Sequence, residues 1–506
     1  MKRVHLLINF INHSFVIKIE ENRMDGIKKI LIITMINLLL MSQLNGCIET
    51  QKKNNNTQGD GVNCIIQKPG SDNYKLTYNF DNPLNISKNN LGPGGTTTLE
   101  SCIKYCSKNI TCECRDWIQS IYNSFDTNKQ RDIDKINGIW LPTIDTVRDA
   151  VKKIPTLKKI GINTVSFGPD VETIHLDKPR TIGDNLFRFY IKLFEDTGFN
   201  VHLVPNSMHW GNNNVSLYDL NEILLDWAVE AEKLNSEFYV TFNEVDGMQE
   251  NISETSIWLQ KMLPEIKERY SGIICVQPTQ EGFHSMLINY SGFDCVSAFY
   301  PLMVPDEERV NKELKEYKEK AANIRVKYPS IKYIMFNDVA TFSGGNWAET
   351  YLIEAQIEAE KEGRSEYSTE EQQAQLFEKH LDEMHPFVNG TFFNNCKGFT
   401  FIGRDAEQIV EEKYSQYGTL PIYEKDYLWN TTGFLELIEN ATLNDEEKNL
   451  IFDLDKYSGE NAGWAGLCFE PTTENPGPFN CTSVKSCMDL FRSNPEEYWR
   501  WVLENY

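Results

Sequence analysis

Histidine is scarce, with 8 in 506 residues. Metal-dependent barrel hydrolases group several histidines with carboxylates at strand ends. Here only His209 stands in such a place, so no metal site is expected. His380 and His385, five apart on a helical stretch, do not share a helix face and are set aside as a ligand pair. Positive charge is also in short supply: 50 Lys and Arg stand against 73 Asp and Glu, a formal net charge of −23. Such a surface repels phosphate backbones, which argues against nucleic acid as a partner. The G-x-G-x-x-G turn of dinucleotide-binding sheets is missing; Gly344-Gly345 follows a strand-like run without that spacing. No cofactor is implied.

What is present begins with a targeting pattern. Lys28 and Lys29 precede an apolar run from Ile30 to Leu40, which ends at Leu44-Asn45-Gly46-Cys47. A basic head, an apolar stretch and a small residue before a cut describe a secretory leader. The last four residues resemble a lipobox, with Cys47 as the lipidated residue; an uncleaved N-terminal membrane helix is the alternative. Both place the rest of the chain outside the membrane. Met24 fits as the start of such a leader, because residues 1–23 add nothing it needs. Residues 48–60 are polar and low in complexity, as a tether should be.

Cysteine use agrees with export. Cys64, Cys102, Cys106, Cys112 and Cys114 cluster early, and Cys468, Cys481 and Cys487 late; in small exported segments such clusters read as disulfides. The C-x₃-C-x₅-C-x-C run could instead hold zinc, though no His accompanies it. Cys275 and Cys295 lie in apolar runs and read as buried thiols. Glycosylation sequons occur at Asn109, Asn251, Asn289, Asn389 and Asn430, as chance also produces in an Asn-rich chain.

Between residues 133 and 441, short apolar runs alternate with amphipathic helical stretches. The strand expectations are Gly138–Leu141, Thr164–Phe167, Val201–Val204, Phe238–Phe242, Ile273–Val276, Cys295–Phe299, Tyr333–Phe336 and Gly398–Ile402. Helices are expected at Thr146–Lys159, Leu186–Asp196, Leu217–Leu234, Ser253–Arg269, Glu307–Lys327 and Thr369–Met384, with a short one near His284–Asn289. Strict alternation means a parallel sheet, and eight units favour closure into a (β/α)₈ TIM barrel over an open sheet. The expected organisation is a leader over 1–47, a tether over 48–60, a Cys-rich segment over 61–132, the barrel over 133–441, and a Cys-bearing segment over 442–506.

Catalytic groups of such barrels sit at the C-terminal ends of strands. There the sequence offers Asp170 and Glu172 after strand 2, Asn206, His209 and Trp210 after strand 3, and Asn243-Glu244 and Asp246 after strand 4. Tyr300 follows strand 6, Asn337-Asp338 follows strand 7, and Arg404 and Asp405 follow the expected strand 8. Trp140, Trp210 and Trp347 are candidate stacking platforms, Trp140 equally a core residue. His202 reads as core. Aromatics make up 12% of the chain, with 10 Trp and 22 Tyr, a bias that suits contact with sugar rings and also core filling.

Phe238-Tyr239-Val240-Thr241-Phe242-Asn243-Glu244 resembles the strand-4 motif of the large retaining clan of glycoside hydrolases that includes β-mannanases, cellulases and β-galactosidases. Tyr333-Ile334-Met335-Phe336-Asn337-Asp338 is similar to its strand 7, and Glu370 to Gln375 to the helix that follows. The resemblance implies Glu244 as acid/base, Asn243 near the sugar 2-hydroxyl, Tyr300 beside the nucleophile, and a carbohydrate partner. It covers the barrel and not the ends. Two positions depart from the pattern. Strand 7 carries Asp338 where the clan has Glu, and Phe401-Ile402-Gly403-Arg404 stands where strand 8 usually ends in Trp.

Asp is one methylene shorter, which draws its carboxylate back by about 1.5 Å. Retaining enzymes hold their carboxyls roughly 5–5.5 Å apart and inverting ones about 6.5–9.5 Å. Open outcomes are spoiled attack, an inverting reaction through water, a backbone shift that absorbs the difference, a carboxylate supplied by Glu172 or Asp405, or a site that only binds sugar. The expectation is a membrane-tethered glycoside hydrolase using Glu244 and Asp338, with Asn243, His209, Trp210, Tyr300, Trp347 and Asn337 binding substrate. A catalytically silent glycan-binding or envelope protein on the same barrel is the alternative.

Overall fold

The computed structural model describes residues 80–126, 133–172, 179–206, 216–248, 252–301, 307–340, 370–395, 400–431 and 433–449, together with short strands before residue 80. The chain divides into two compact units, Met1–Ile121 and Tyr122–Tyr506. The second starts some ten residues earlier than the sequence suggests: Phe125 packs edge-on against Phe189 and Trp429 at 5.5 and 5.9 Å between ring centroids.

In the first unit, Arg3–Phe10 and His13–Glu20 form an antiparallel hairpin, and Cys47–Ile48, Ile65–Ile66 and Tyr74–Lys75 a small sheet. The side chain of Cys47 and the leader from 21 to 46 lie outside the described residues. Among the described residues no helix is long and apolar enough to cross a membrane. Helix Leu99–Lys108 opens on a capping box of Thr98 and Ser101, which satisfies two otherwise orphaned N–H groups. Cys106 and Cys114 form a disulfide, Cys112 is also disulfide-bonded, and Cys102 is a buried thiol. These bonds use up three of the four cysteines of the run, so the zinc reading is set aside in favour of disulfides.

The second unit is a closed barrel of eight parallel strands: β1 Ile136–Leu141, β2 Thr164–Phe167, β3 Asn200–Leu203, β4 Phe238–Val240, β5 Ile273–Val276, β6 Cys295–Pro301, β7 Tyr333–Ala340 and β8 Gly390–Asn394. Strands covered on both faces read as continuous apolar runs; β1 and β2 are buried at every residue. The eighth strand is a correction: it lies at Gly390–Asn394, before the apolar run at 398–402. The expected first helix is also two, Ile144–Lys152 and Ile154–Ile160, because Pro155 cannot donate an N–H to a continuous helix.

Inside the barrel, Ile136, Trp140, Val204, Phe238, Val240, Cys275, Cys295, Met335 and Phe392 form one cluster. Trp140 is thereby core and not a platform, and Cys275 and Cys295 are buried neighbours in register. His202 is core as expected, 2.6 Å from Ser166 Oγ and stacked on Phe392. Gly168 is required just past β2, since a Cβ there would meet the Val204 carbonyl oxygen at 1.4 Å.

At the N-terminal ends of the strands, several polar groups pair across the barrel floor. Asn389 Oδ1 accepts from the Ile334 N–H at 2.9 Å and from Arg325, so this sequon asparagine is committed to the barrel floor. His380 and His385 converge on one hydroxyl, that of Thr391, each at 3.1 Å. Their five-residue spacing permits this because the helix stops at Glu383, so His385 lies beyond it. Among the described residues no group of three or more His, Cys, Asp or Glu could hold a metal ion.

Candidate active site

The C-terminal ends of β4 and β7 each carry an Asn-acid pair. In a regular strand adjacent side chains point to opposite faces, so neither pair could serve one pocket without a backbone break. Both strands have one. Beyond β4, Phe242 has φ +91° and Glu244 φ +42°. The Asn243 N–H turns to the Pro205 carbonyl on the β3 side, while the Val245 N–H bonds to the Gln277 carbonyl on the β5 side. In β7, the pairing to β8 slips between Phe336 and Val339, and Asp338 has φ +56°. Tyr333 and Met335 pack with the interior, which puts Asn337 in phase with it and would send Asp338 outward. The bulge reverses that. Left-handed backbone is rare for residues with a Cβ, and Asp tolerates it better than most.

Both carboxyls are buried, Glu244 at 3% and Asp338 at 2% exposure. Burial, then the charges of Asp338 and Asp246, push the Glu244 carboxyl well above the usual range. Burial pushes Asp338 up to about 7, against the Asn394 amide, which favours its ionised form. Asn394 Nδ2 donates to Asp338 Oδ1 at 2.5 Å. Asp246 is also pushed up by burial, while accepting from the Thr279 N–H and hydroxyl at 2.7 and 2.6 Å. It therefore starts the short helix after β5 as well as acting on Glu244.

The amides form a file. Asn337 Nδ2 donates to Gln277 Oε1 at 3.1 Å, Gln277 Nε2 donates to Asn243 Oδ1, and Asn243 Nδ2 donates to Asn206 Oδ1 at 3.1 Å. Asn337 Oδ1 and Trp140 Nε1 are buried, with no hydrogen-bond partner among the described residues.

Of the residues singled out from sequence, Asn243 and Asn337 are joined through Gln277, and Glu244 lies near enough to Asp338 to feel its charge. Tyr300 is placed elsewhere. It is in phase with Val296 and Ala298, and its ring packs on Tyr317 and Phe336 at 4.4 and 5.1 Å, in the layer between strands and helices. That packing turns it away from the interior, so the role beside the nucleophile is withdrawn. Asp405 is an exposed first-turn residue of helix Asp405–Tyr414, a position that complements the helix dipole. Glu172 lies in a two-residue strand paired with Arg180–Thr181, its side chain outside the described residues. His209, Trp210 and Trp347 also lie outside them. Gln277 and Asn394 were missed. Gln277 is the first polar residue after β5, a signal the other strand ends had already supplied. Asn394 was hidden by the misplaced eighth strand.

No family model matches the chain, and comparison with curated proteins gave no match. Solved structures similar to it include glycoside hydrolases. A GH113 β-1,4-mannanase matches 56% of this chain and 99% of its own at 13% identity and a TM-score of 0.43. The GH113 β-mannanase AaManA from Alicyclobacillus acidocaldarius, in complex with ManMIm, matches 57% and 99% at 14% identity and 0.42. Cel5A from Thermotoga maritima, in complex with cellobiose, matches 56% and 98% at 11% identity and 0.39. At these values neither fold nor chemistry rests on the likeness. The barrel stands on its own strand pairing, and the chemistry on its own side chains.

Proposed function

We propose that the chain is a glycoside hydrolase that cleaves an O-glycosyl bond in an oligo- or polysaccharide. The observation that carries this reading is the repeated device at β4 and β7: an Asn-acid pair whose acid sits in left-handed backbone and is buried. Strain of that kind persists where function requires it. Glu244, kept protonated by burial and by the charge of Asp338, gives its proton to the leaving glycosidic oxygen. Asp338, ionised, either attacks the anomeric carbon or takes a proton from the water that does. In the first case water then cleaves the glycosyl–carboxylate bond and its proton returns to Glu244, with retained configuration; in the second the configuration inverts.

The test is hydrolysis of a panel of glycans and aryl glycosides, with the product anomer read by NMR. Turnover by the wild type, and its loss in Glu244→Gln, is expected; full activity in that variant would end the assignment. One observation favours a second reading, a silent glycan binder: the near-complete burial of both carboxyls. That reading requires no turnover on any member of the panel together with measurable glycan binding.

Export and tethering belong to the same proposal. Lipid on Cys47, or an uncleaved N-terminal helix, would hold the barrel at the outer face of the cell membrane, and the Cys106–Cys114 disulfide suits an oxidising compartment. Cys47→Ala should shift the protein from the membrane to the soluble fraction; continued membrane retention would contradict the lipid anchor.

A further inference from the structure

The file of carboxamides has one member that serves both acid-bearing strands. Asn337, one residue before Asp338, donates to Gln277; Gln277 donates to Asn243, one residue before Glu244. β6 lies between β5 and β7 in the barrel, so no backbone ladder joins Gln277 to Asn337, and the side chain alone spans the gap. Gln277, Asn243 and Asn337 are all buried. A carboxamide offers one acceptor and two donors. Gln277 commits its oxygen to one asparagine and an N–H to the other, so turning it over breaks both bonds. Every link donates in the same direction. Asn243 is thereby held with its oxygen turned to Gln277 and its nitrogen toward Asn206, and Asn337 with its oxygen unpartnered among the described residues.

The geometry points to Gln277 as the positioning residue of the barrel mouth: it locks Asn243, whose first N–H goes to Asn206, to present its second, and Asn337 to present a carbonyl oxygen, to the hydroxyls of a bound sugar. A sugar hydroxyl donates and accepts, so it meets either group. The ligand part of this inference rests on the glycoside-hydrolase reading; the locking does not.

Two measurements test it. In Gln277→Leu, kcat is expected to fall about 100-fold, as misplacement of substrate-contacting groups does, while KM changes little. The limbs of the pH–rate profile should stay in place, since no titrating group is altered. Separately, the melting-temperature losses of Asn243→Ala and Asn337→Ala are compared with that of the double variant. They should be non-additive by about 2 °C or more, because Gln277 joins them, and additive in the Gln277→Leu background. Additivity in both backgrounds, or unchanged kcat in Gln277→Leu, overturns the inference. So does loss of turnover accompanied by a collapse of the fold, which would mark a merely structural role. Should the wild type hydrolyse no glycan, the enzymatic reading falls, and the melting cycle still decides whether Gln277 locks the pair.

Discussion

Asn137 and Asn337 occupy opposite ends of the same barrel and are treated in opposite ways. At the floor, Asn137 donates to the carbonyls of Gly161 and Tyr414, both at 3.1 Å, and lies 3.2 Å by its oxygen from His385 Nε2. At the mouth, Asn337 leaves its oxygen with no partner among the described residues. Buried charge shows the same contrast. On the flank, Lys158 and Asp426 are both fully buried and meet at 2.7 Å, with Lys158 also donating to the Pro421 carbonyl. In the mouth, Glu244 and Asp338 are two buried acids; the charge of Asp338 adds to the cost of ionising Glu244, and Asp338 has a neutral amide as its partner. Asn137 and Lys158, which serve only the fold, meet partners; Glu244 and Asp338 combine burial with left-handed backbone, and something other than the fold accounts for that.

The comparison can be broken most severely at the carboxyls. Glu244→Gln and Asp338→Asn should each lower glycan turnover by about 1000-fold, the scale of a lost acid/base or nucleophilic group. Variants that kept wild-type rates would remove the functional reason for the mouth's design. Next in size are stability effects of opposite sign. Lys158→Met strips Asp426 of its cation and should cost about 4 kcal/mol in denaturant unfolding.

Asp338→Asn should instead stabilise the protein. The folded-state value of Asp338, about 7 against an ordinary 3.8, favours the neutral form. Its contribution is therefore intact below pH 4 and is lost as pH rises through 7. An amide escapes that loss, so the advantage of the variant should grow from nothing at pH 4 to about 4 kcal/mol at pH 8. Equal stability of wild type and variant across this range would contradict the contrast. The smallest expected difference is between the two asparagines. Asn137→Ala should cost about 3 kcal/mol and Asn337→Ala about 1 kcal/mol, because the first abandons several buried partners and the second only Gln277.

The barrel was legible because strands buried on both faces leave unbroken apolar runs: Thr164–Phe167 and Ile273–Val276 are placed to the residue. The eighth strand was not, because Thr391 and Asn394 interrupt its apolar character while a neighbouring run imitates a strand. The polar character of Asn243-Glu244 and Asn337-Asp338 was visible from their position after such runs. The left-handed turns that let both members of each pair act together were not, since Phe, Glu and Asp carry no signal comparable to glycine for that backbone. The misassignment of Tyr300 has the same origin. Which face a residue takes near a bulge depends on the break, and periodicity alone does not reveal it.

The pH–rate profile of wild-type glycan turnover tests the carboxyl pair most directly. Turnover should rise with pH through about 7, as Asp338 ionises, and fall at higher pH when Glu244 gives up its proton. A rate already maximal at pH 5 and flat to pH 8 would show that these two acids, in this burial, do not carry the reaction.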